Sequence, residues 1–366
     1  MKYEKTLPQD IRFGNGIRFK LPEVLRPGAV LIICGKHALP DIEKNLVPLL
    51  NDRKYAFAEP VSPELPLTEV AAAVSKARQI NAVNFIGWGG GSAMDCAKAV
   101  AALSEADADC EDCFYGRAAV PERNNFLVLL PTSAGTGAEI TANAVIVDHA
   151  TGIKQSLRGP GMTADCALVD PELLQSAPPP VIAASGFDAL TQALESFLSL
   201  KGDALTRQIA LSAAEYLFRS LAPACRMEIS ALPDVARGSM LAGIAFASSG
   251  LGAVHGIGHP AGSIMHIPHG ICCAILLPAV LQYNLPACRE RFAELAGGLG
   301  FTSPEALIAE VIRLRKETGL PENFTMYGFS GDFIPFIVQN CRSGSMKCNP
   351  RPMDDEEVAE LLRSLA

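Results

Sequence analysis

The stretch AVNFIGWGGGSAMDCAKAVAAL (82–103) decides the fold class. AVNFIG (82–87) is a short apolar run of strand type, and AMDCAKAVAAL (93–103) has helical spacing. Between them stand Gly89, Gly90, Gly91 and Ser92. Successive glycines let a backbone approach a ligand closely. The free N–H groups at a helix start favour a phosphate. The loop is neither G-x-G-x-x-G nor a Walker A motif, because no GK[ST] follows. It reads either as a phosphate cradle or as a tight turn from strand to helix.

The same alternation extends to both sides. AVLIIC (29–34) reads as a strand, TEVAAAVSKARQI (68–80) as a helix, and NFLVLLP (125–131) as another strand. A second glycine-rich loop, PTSAGTGAE (131–139), follows that strand and carries the hydroxyls of Thr132, Ser133 and Thr136. NAVIVDHATGIKQSLR (143–158) reads as a hairpin turning at Thr151-Gly152. This pattern predicts an α/β domain with a mostly parallel sheet covered by helices. Two glycine- and hydroxyl-rich turns at strand ends suit a dinucleotide.

After Pro178-Pro179-Pro180 the character changes to long helical patterns: 183–200, 204–221 and SMLAGIAFASSGLGAVHGIGH (239–259), the last read as one helix. The proline triplet is therefore the expected boundary between an α/β domain (1–180) and an all-helical domain (181–366). A cleft between such domains is a common place for a site.

Of the 366 residues, 49% are apolar and 19% charged, which is a globular composition. The net charge of -8 argues against a nucleic-acid partner. The N-terminal MKYEKTLPQD lacks the apolar core of a secretory signal, and no uninterrupted apolar run suggests a membrane span. Eleven cysteines at irregular spacing suit reduced thiols, hence a cytoplasmic protein. Cys110 and Cys113 form a C-x-x-C, read as two loop thiols or a redox pair; Cys272-Cys273 reads as core.

Four of the six histidines fall between 255 and 269: His255, His259, His266 and His269. His255 and His259 share a helix face, and a cluster of imidazoles suggests a metal. A carboxylate usually completes such a site. Asp188 is the candidate, since it lies in an otherwise apolar helix beside Gln192 and Glu195 on one face. Its alternative role is a charge favouring the helix N-terminus. Glu195 reads as a supporting acid rather than a ligand.

These stretches resemble the iron-containing (group III) alcohol dehydrogenases: PQDIRFGNG (8–16), GGGSAMDCAK (89–98), PTSAGTGAEIT (131–141), VDPELLQSAPP (169–179), GFDALTQALESF (186–197), AVHGIGHPAG (253–262), PHGICCAILLP (268–278) and CNPRP (348–352). The resemblance covers nearly the whole chain in the family's order. It implies a Rossmann-like N-terminal domain followed by an all-α domain, the dehydroquinate synthase-like fold. It further implies an NAD(P)-linked alcohol dehydrogenase or aldehyde reductase, with hydride transfer between a metal-activated alcohol and nicotinamide, and a homodimer. The family's metal positions fall on Asp188, Gln192, His255 and His269, and His259 falls near nicotinamide and substrate. Gly90, Gly91, Ser92, Asp95, Thr132, Ser133, Thr136, Thr141 and Lys154 match cofactor positions. Gln192 stands where the family usually has histidine, which shifts the expected ion toward zinc or a loosely held iron. Gly35 stands where NAD-preferring members carry an acid; with Lys36 beside it, NADP(H) is favoured. The alternatives are a glycerol, polyol or polyol-phosphate dehydrogenase, a dehydroquinate synthase-like enzyme, and a nucleotide-binding homologue impaired through Gln192.

Overall fold

A computed structural model describes residues 6–366. The first five residues, part of the stretch read above as lacking a secretory core, lie outside the described residues. The chain divides into two compact units. One comprises residues 1–133 and 137–176; the other comprises 134–136 and 177–366.

The first unit is built on a six-stranded sheet. Its strands are β1 (Asp10–Phe13), β2 (Ala29–Cys34), β3 (Tyr55–Phe57), β4 (Ala82–Gly89), β5 (Phe126–Pro131) and β8 (Cys166–Val169). They lie in the order β1-β8-β5-β4-β2-β3, and every pair is parallel. β6 (Asn143–Asp148) and β7 (Ile153–Arg158) form the expected hairpin. The helices are α1 (Leu21–Val24), α2 (Leu39–Asn45), α3 (Leu67–Ile80), α4 (Gly91–Ser104) and α5 (Cys110–Phe114).

The central strands are continuous apolar runs because both sheet faces are covered. Leu31, Ile33, Phe85, Leu127 and Leu129 pack into one core with α3 and α4. Val30, Ile32, Ile86, Trp88, Val128 and Leu130 pack into the other with Leu21, Ile42 and Leu168. The short strands β1, β3 and β8 were not anticipated; three or four residues are too few to declare a period. The Cys110 and Cys113 thiols of α5 are buried and free, and burial raises both, Cys110 to about 11. The structure places them on a short helix rather than in the loop expected from the sequence.

The second unit contains α6 (Pro179–Leu198), α7 (Ala204–Cys225), α8 (Leu232–Ser249), α9 (Ala253–Met265), α10 (His269–Asn284), α11 (Arg289–Gly298), α12 (Pro304–Glu317), α13 (Ile334–Asn340) and α14 (Asp355–Ser364). α6 begins inside the proline triplet, with Pro179 in its first turn, where the missing N–H costs nothing. From Gly186 to Leu198 every residue of α6 is buried, so this is the central helix of the unit. Glycine allows close packing around it: a Cβ on Gly186 would lie 2.2 Å from Leu221 Cδ1, and one on Gly270 would lie 2.0 Å from the Ala184 carbonyl oxygen.

The single helix expected over 239–259 is two helices, α8 and α9, bent by 104°. The break lies at Gly250-Leu251-Gly252, where Gly250 takes φ 65°, ψ -169°, a conformation open only to glycine. Helical spacing runs through the break, but the backbone does not. The segment His269–Ala287, α10 with its short extension, is long and apolar enough to cross a membrane by composition, with mean hydropathy 1.5. Of that window 61% is buried inside the protein, as for a core helix.

Candidate metal centre

The α6, α9 and α10 helices of the second unit converge on one cluster. Asp188 Oδ1, a His255 ring nitrogen, a His269 ring nitrogen and Cys273 Sγ all lie within 4.8 Å of one another. His255 Nε2 is 3.2 Å from Asp188 Oδ1, and His269 Nε2 is 3.7 Å from the same oxygen. Cys273 Sγ lies 3.5 Å from His269 Nε2 and 3.7 Å from Asp188 Oδ1.

Local chain geometry explains each placement. Asp188 and Gln192 are one turn apart on α6, and His269 and Cys273 one turn apart on α10, so each pair shares a face. His255 is the third residue of α9, and its position is set by what holds the start of that helix. Glu195 Oε1 accepts from the Val254 N–H at 2.7 Å, and Asn349 Oδ1 accepts from the Ala253 N–H at 3.1 Å. Two of the orphan donors of α9 are thereby satisfied, one by a carboxylate at the positive end of the helix. A Cβ on Gly252 would lie 2.6 Å from Glu195 Oε1, so a larger residue there would push that carboxylate aside. Asn349 is locked in turn by reciprocal bonds with Asn284 at 2.8 and 2.9 Å. This gives the CNPRP stretch a structural role that its motif alone did not disclose.

Glu195 also binds His255. Its Oε2 is 2.6 Å from His255 Nδ1, which turns Nε2 toward Asp188. A carboxylate on one ring nitrogen fixes the tautomer and frees the other nitrogen as a ligand. Both acids and His255 are buried. Burial resists protonation of His255, but Glu195 and Asp188 outweigh it and hold the imidazole up at about 9. Burial would raise the Asp188 carboxyl, but His269 and His255 hold it below its ordinary value. The Cys273 thiol is driven well above its usual range by burial and by the charge of Asp188. Two buried carboxylates demand positive charge.

A divalent ion fits these residues. Besides the clustered donors, Gln192 Oε1 is buried with no hydrogen-bond partner. An orphaned amide oxygen one turn from Asp188 is costly unless a cation or a hydrogen-bond donor meets it. Cys273 is the member that the sequence reading missed: it had been read as core, and it is core, yet its sulfur faces the donors. The His269-x-x-x-Cys273 spacing was the available signal. His259 stands beside the cluster, its ring stacked on His269 with centroids 4.5 Å apart. His266 lies outside the cluster, at the end of α9 with φ 54°.

In the first unit, Gly35 follows β2, and Gly90 and Gly91 follow β4. The chain leaves β2 for the edge strand β3 and returns to β4 on the other side of β2, so the topological switch lies between these strand ends. The β5 turn joins them: Thr132 N–H donates to the Gly89 carbonyl at 3.0 Å, and a Cβ on Gly90 would lie 3.2 Å from Ser133 Oγ. Gly91 and Ser92 open α4, whose N-cap Gly90 makes no side-chain cap bond. Asp95 and Thr141 lie deeper in this unit. Lys98 Nζ is 2.7 Å from Asp95 Oδ1 and 3.4 Å from Thr141 Oγ1, and Asp95 Oδ2 accepts from the Val145 N–H. Lys154 pairs with Glu64 at 2.9 Å. Thr136 is exposed and belongs to the short segment 134–136 that clusters with the second unit, where Gly135 packs on Ser185.

Residues 8–171 match the family model described as iron-containing alcohol dehydrogenase, and residues 182–366 match that of the C-terminal part of the Fe-containing alcohol dehydrogenase family. The chain belongs to the iron-containing alcohol dehydrogenase family. It has the fold of that family and is an NAD(P)-dependent alcohol dehydrogenase; the family uses an iron-type metal, and this chain has a candidate site for one. It is 34% identical to a 1-propanol dehydrogenase of Salmonella typhimurium over 345 residues, 89% of each chain. It is 32% identical to an NADPH-dependent butanol dehydrogenase of Clostridium saccharobutylicum over 373 residues, covering 97% of this chain and 96% of that one. The crystal structure of a sulfoacetaldehyde reductase from Bifidobacterium kashiwanohense, in complex with NAD+, superposes with a TM-score of 0.93 at 28% identity, covering 100% and 99% of the two chains.

Proposed function

We propose that this alcohol dehydrogenase interconverts a small alcohol and its aldehyde, with the ion held by Asp188, His255 and His269 and assisted by Gln192. The observation that carries this reading is the convergence of one carboxylate and two imidazoles in one cluster, with an orphaned Gln192 oxygen on the residue one turn along α6 from Asp188. When bound there, a divalent ion supplies Lewis acidity that lowers the pKa of an alcohol and stabilises its alkoxide. Glu195 keeps His255 in the ligating tautomer. His259, stacked on His269 and only partly buried, is placed to orient the substrate or to carry the hydroxyl proton.

For the cofactor, the first unit (within 1–180) takes NAD(P)(H) at the switch point, and the helical part (181–366) holds metal and substrate. The α4 N-terminus at Gly90, Gly91 and Ser92 takes the pyrophosphate, with hydroxyls from Thr132, Ser133 and Thr136. Asp95, Thr141 and Lys154 complete the cofactor set, the first two by shaping the turn from within through Lys98. Gly35 carries no charge to repel a 2′-phosphate, and exposed Lys36 beside it attracts one, so NADP(H) is favoured. The butanol dehydrogenase named above uses NADPH. A reducing, cytoplasmic setting suits eleven cysteines that are all free, and a homodimer is the family-level expectation.

The test is alcohol oxidation by chelator-stripped protein and by the same protein reloaded with Fe²⁺, Zn²⁺ or Mn²⁺. Activity lost on stripping and regained with at least one ion is expected. Full activity in the stripped protein overturns the reading.

A further inference from the structure

We propose that Cys273 Sγ is itself a ligand of the ion, taking up as a thiolate the coordination that Gln192 fills weakly. The proposal rests on the metal reading above and adds to it a soft donor.

The geometry carries it. Bond lengths of about 2.3 Å to sulfur and 2.0–2.1 Å to nitrogen or oxygen, at tetrahedral angles, require donor separations of about 3.6 Å for sulfur pairs and about 3.3 Å for the others. Cys273 Sγ stands 3.5 Å from His269 Nε2 and 3.7 Å from Asp188 Oδ1. His255 Nε2 and His269 Nε2 stand 3.2 and 3.7 Å from Asp188 Oδ1, and all four donors lie within 4.8 Å of one another. Both sulfur separations thus already match those of a tetrahedral site. Cys273 is held there by α10, one turn after His269, so no rotation of the backbone is required to bring it in. Cys272, its neighbour, is equally buried and is not among the clustered donors. Gln192 Oε1 is a neutral oxygen and the weakest of these donors; a Cys273 thiolate supplies the charge that an amide lacks.

On binding, the Cys273 S–H bond breaks, an S–metal bond forms, and the proton leaves to solvent; no electron is transferred. A thiolate among two imidazoles and a carboxylate selects the thiophilic Zn²⁺ over harder ions such as Mn²⁺.

The experiment titrates metal-stripped protein with cobalt(II) chloride and reads the absorption spectrum. Wild type is expected to show a thiolate-to-cobalt charge-transfer band in the near ultraviolet together with visible d–d bands. Cys273→Ser loses the first and keeps the second, and releases about one proton fewer per ion bound. Cys272→Ser keeps both. Zinc affinity of Cys273→Ser falls by about tenfold or more, with manganese affinity changed far less. X-ray absorption of zinc-loaded wild type, which depends on no variant, is expected to require a sulfur scatterer at about 2.3 Å. Cobalt bound with d–d bands but no charge transfer, or a zinc shell of nitrogen and oxygen alone, overturns the role of Cys273 and leaves the other ligands standing. Cobalt binding unaffected by His255→Ala and His269→Ala overturns the metal reading itself.

Discussion

Replacing Glu195 by Gln tests how the metal centre is oriented. The carboxylate accepts two bonds from buried donors, His255 Nδ1 at 2.6 Å and Val254 N–H at 2.7 Å. Glutamine keeps the shape, but only one of its two terminal atoms accepts. Its NH₂ group must therefore face one of the two donors, and the charge that holds the His255 tautomer is gone. A hydrogen bond to a charged group is worth about 1.5–3 kcal/mol in such a setting. At about 1.4 kcal/mol per tenfold, that predicts metal affinity weakened by roughly 10- to 150-fold. The range agrees with the 10–100-fold typical of residues that orient ligands. The assay is competition for Zn²⁺ against a chromophoric chelator, with far-ultraviolet circular dichroism to check that the helices survive. Saturating metal should restore most of the turnover. An affinity within twofold of wild type refutes the claim that Glu195 sets the ligand geometry.

Four other outcomes are expected. Gly270→Ala drives a Cβ to 2.0 Å from the Ala184 carbonyl and must separate α6 from α10; a loss of about 1–3 kcal/mol in denaturant unfolding and weaker metal binding should accompany each other. His259→Gln should lower kcat about 100-fold while leaving zinc affinity nearly unchanged, which separates it from the ligands in paired kinetic and binding measurements. Lys36→Glu should reduce the ratio of kcat/KM for NADPH over NADH; an unchanged ratio removes Lys36 from cofactor selection. Burial holds the Glu139 carboxyl up at about 7 against an ordinary 4.5, with Lys98 opposing only in part. The folded chain thus retains a proton that the unfolded chain has released, so this group's effect on stability worsens as pH rises from about 4.5 to 7 and then levels off. Glu139→Gln should gain stability relative to wild type across that window, by up to about 3 kcal/mol at pH 8 compared with pH 4.5, measured by urea unfolding at both.

The strands β2, β4 and β5 were legible because burial on both faces makes them uniformly apolar. Their glycine-rich exits were legible because the residues there are unusual in composition. β1, β3 and β8 were not, since DIRF, YAF and CALV are shorter than any usable period. The α8–α9 break was hidden because a glycine inside a run of small residues still fits a helical pattern; only its dihedral angles show otherwise. Asp188, His255 and His269, which the structure brings into one cluster, were singled out by residue type and by resemblance. The pairing of Glu195 with His255 joins residues 60 positions apart, which is tertiary information. Cys273 escaped notice because cysteine in an apolar run behaves as a small hydrophobe until its neighbours are known.

The three helices that carry the clustered donors are separate in the chain, with Asp188 and His255 alone 67 positions apart. An ion seated among them acts as a removable cross-link, closing loops as a disulfide would but in a reducing medium. The helical unit's resistance to unfolding is then not a fixed property of its sequence. On the proposed metal reading, each tenfold rise in free metal above the dissociation constant adds about 1.4 kcal/mol, and the protein's lifetime, as well as its turnover, would follow the metal supply of its surroundings.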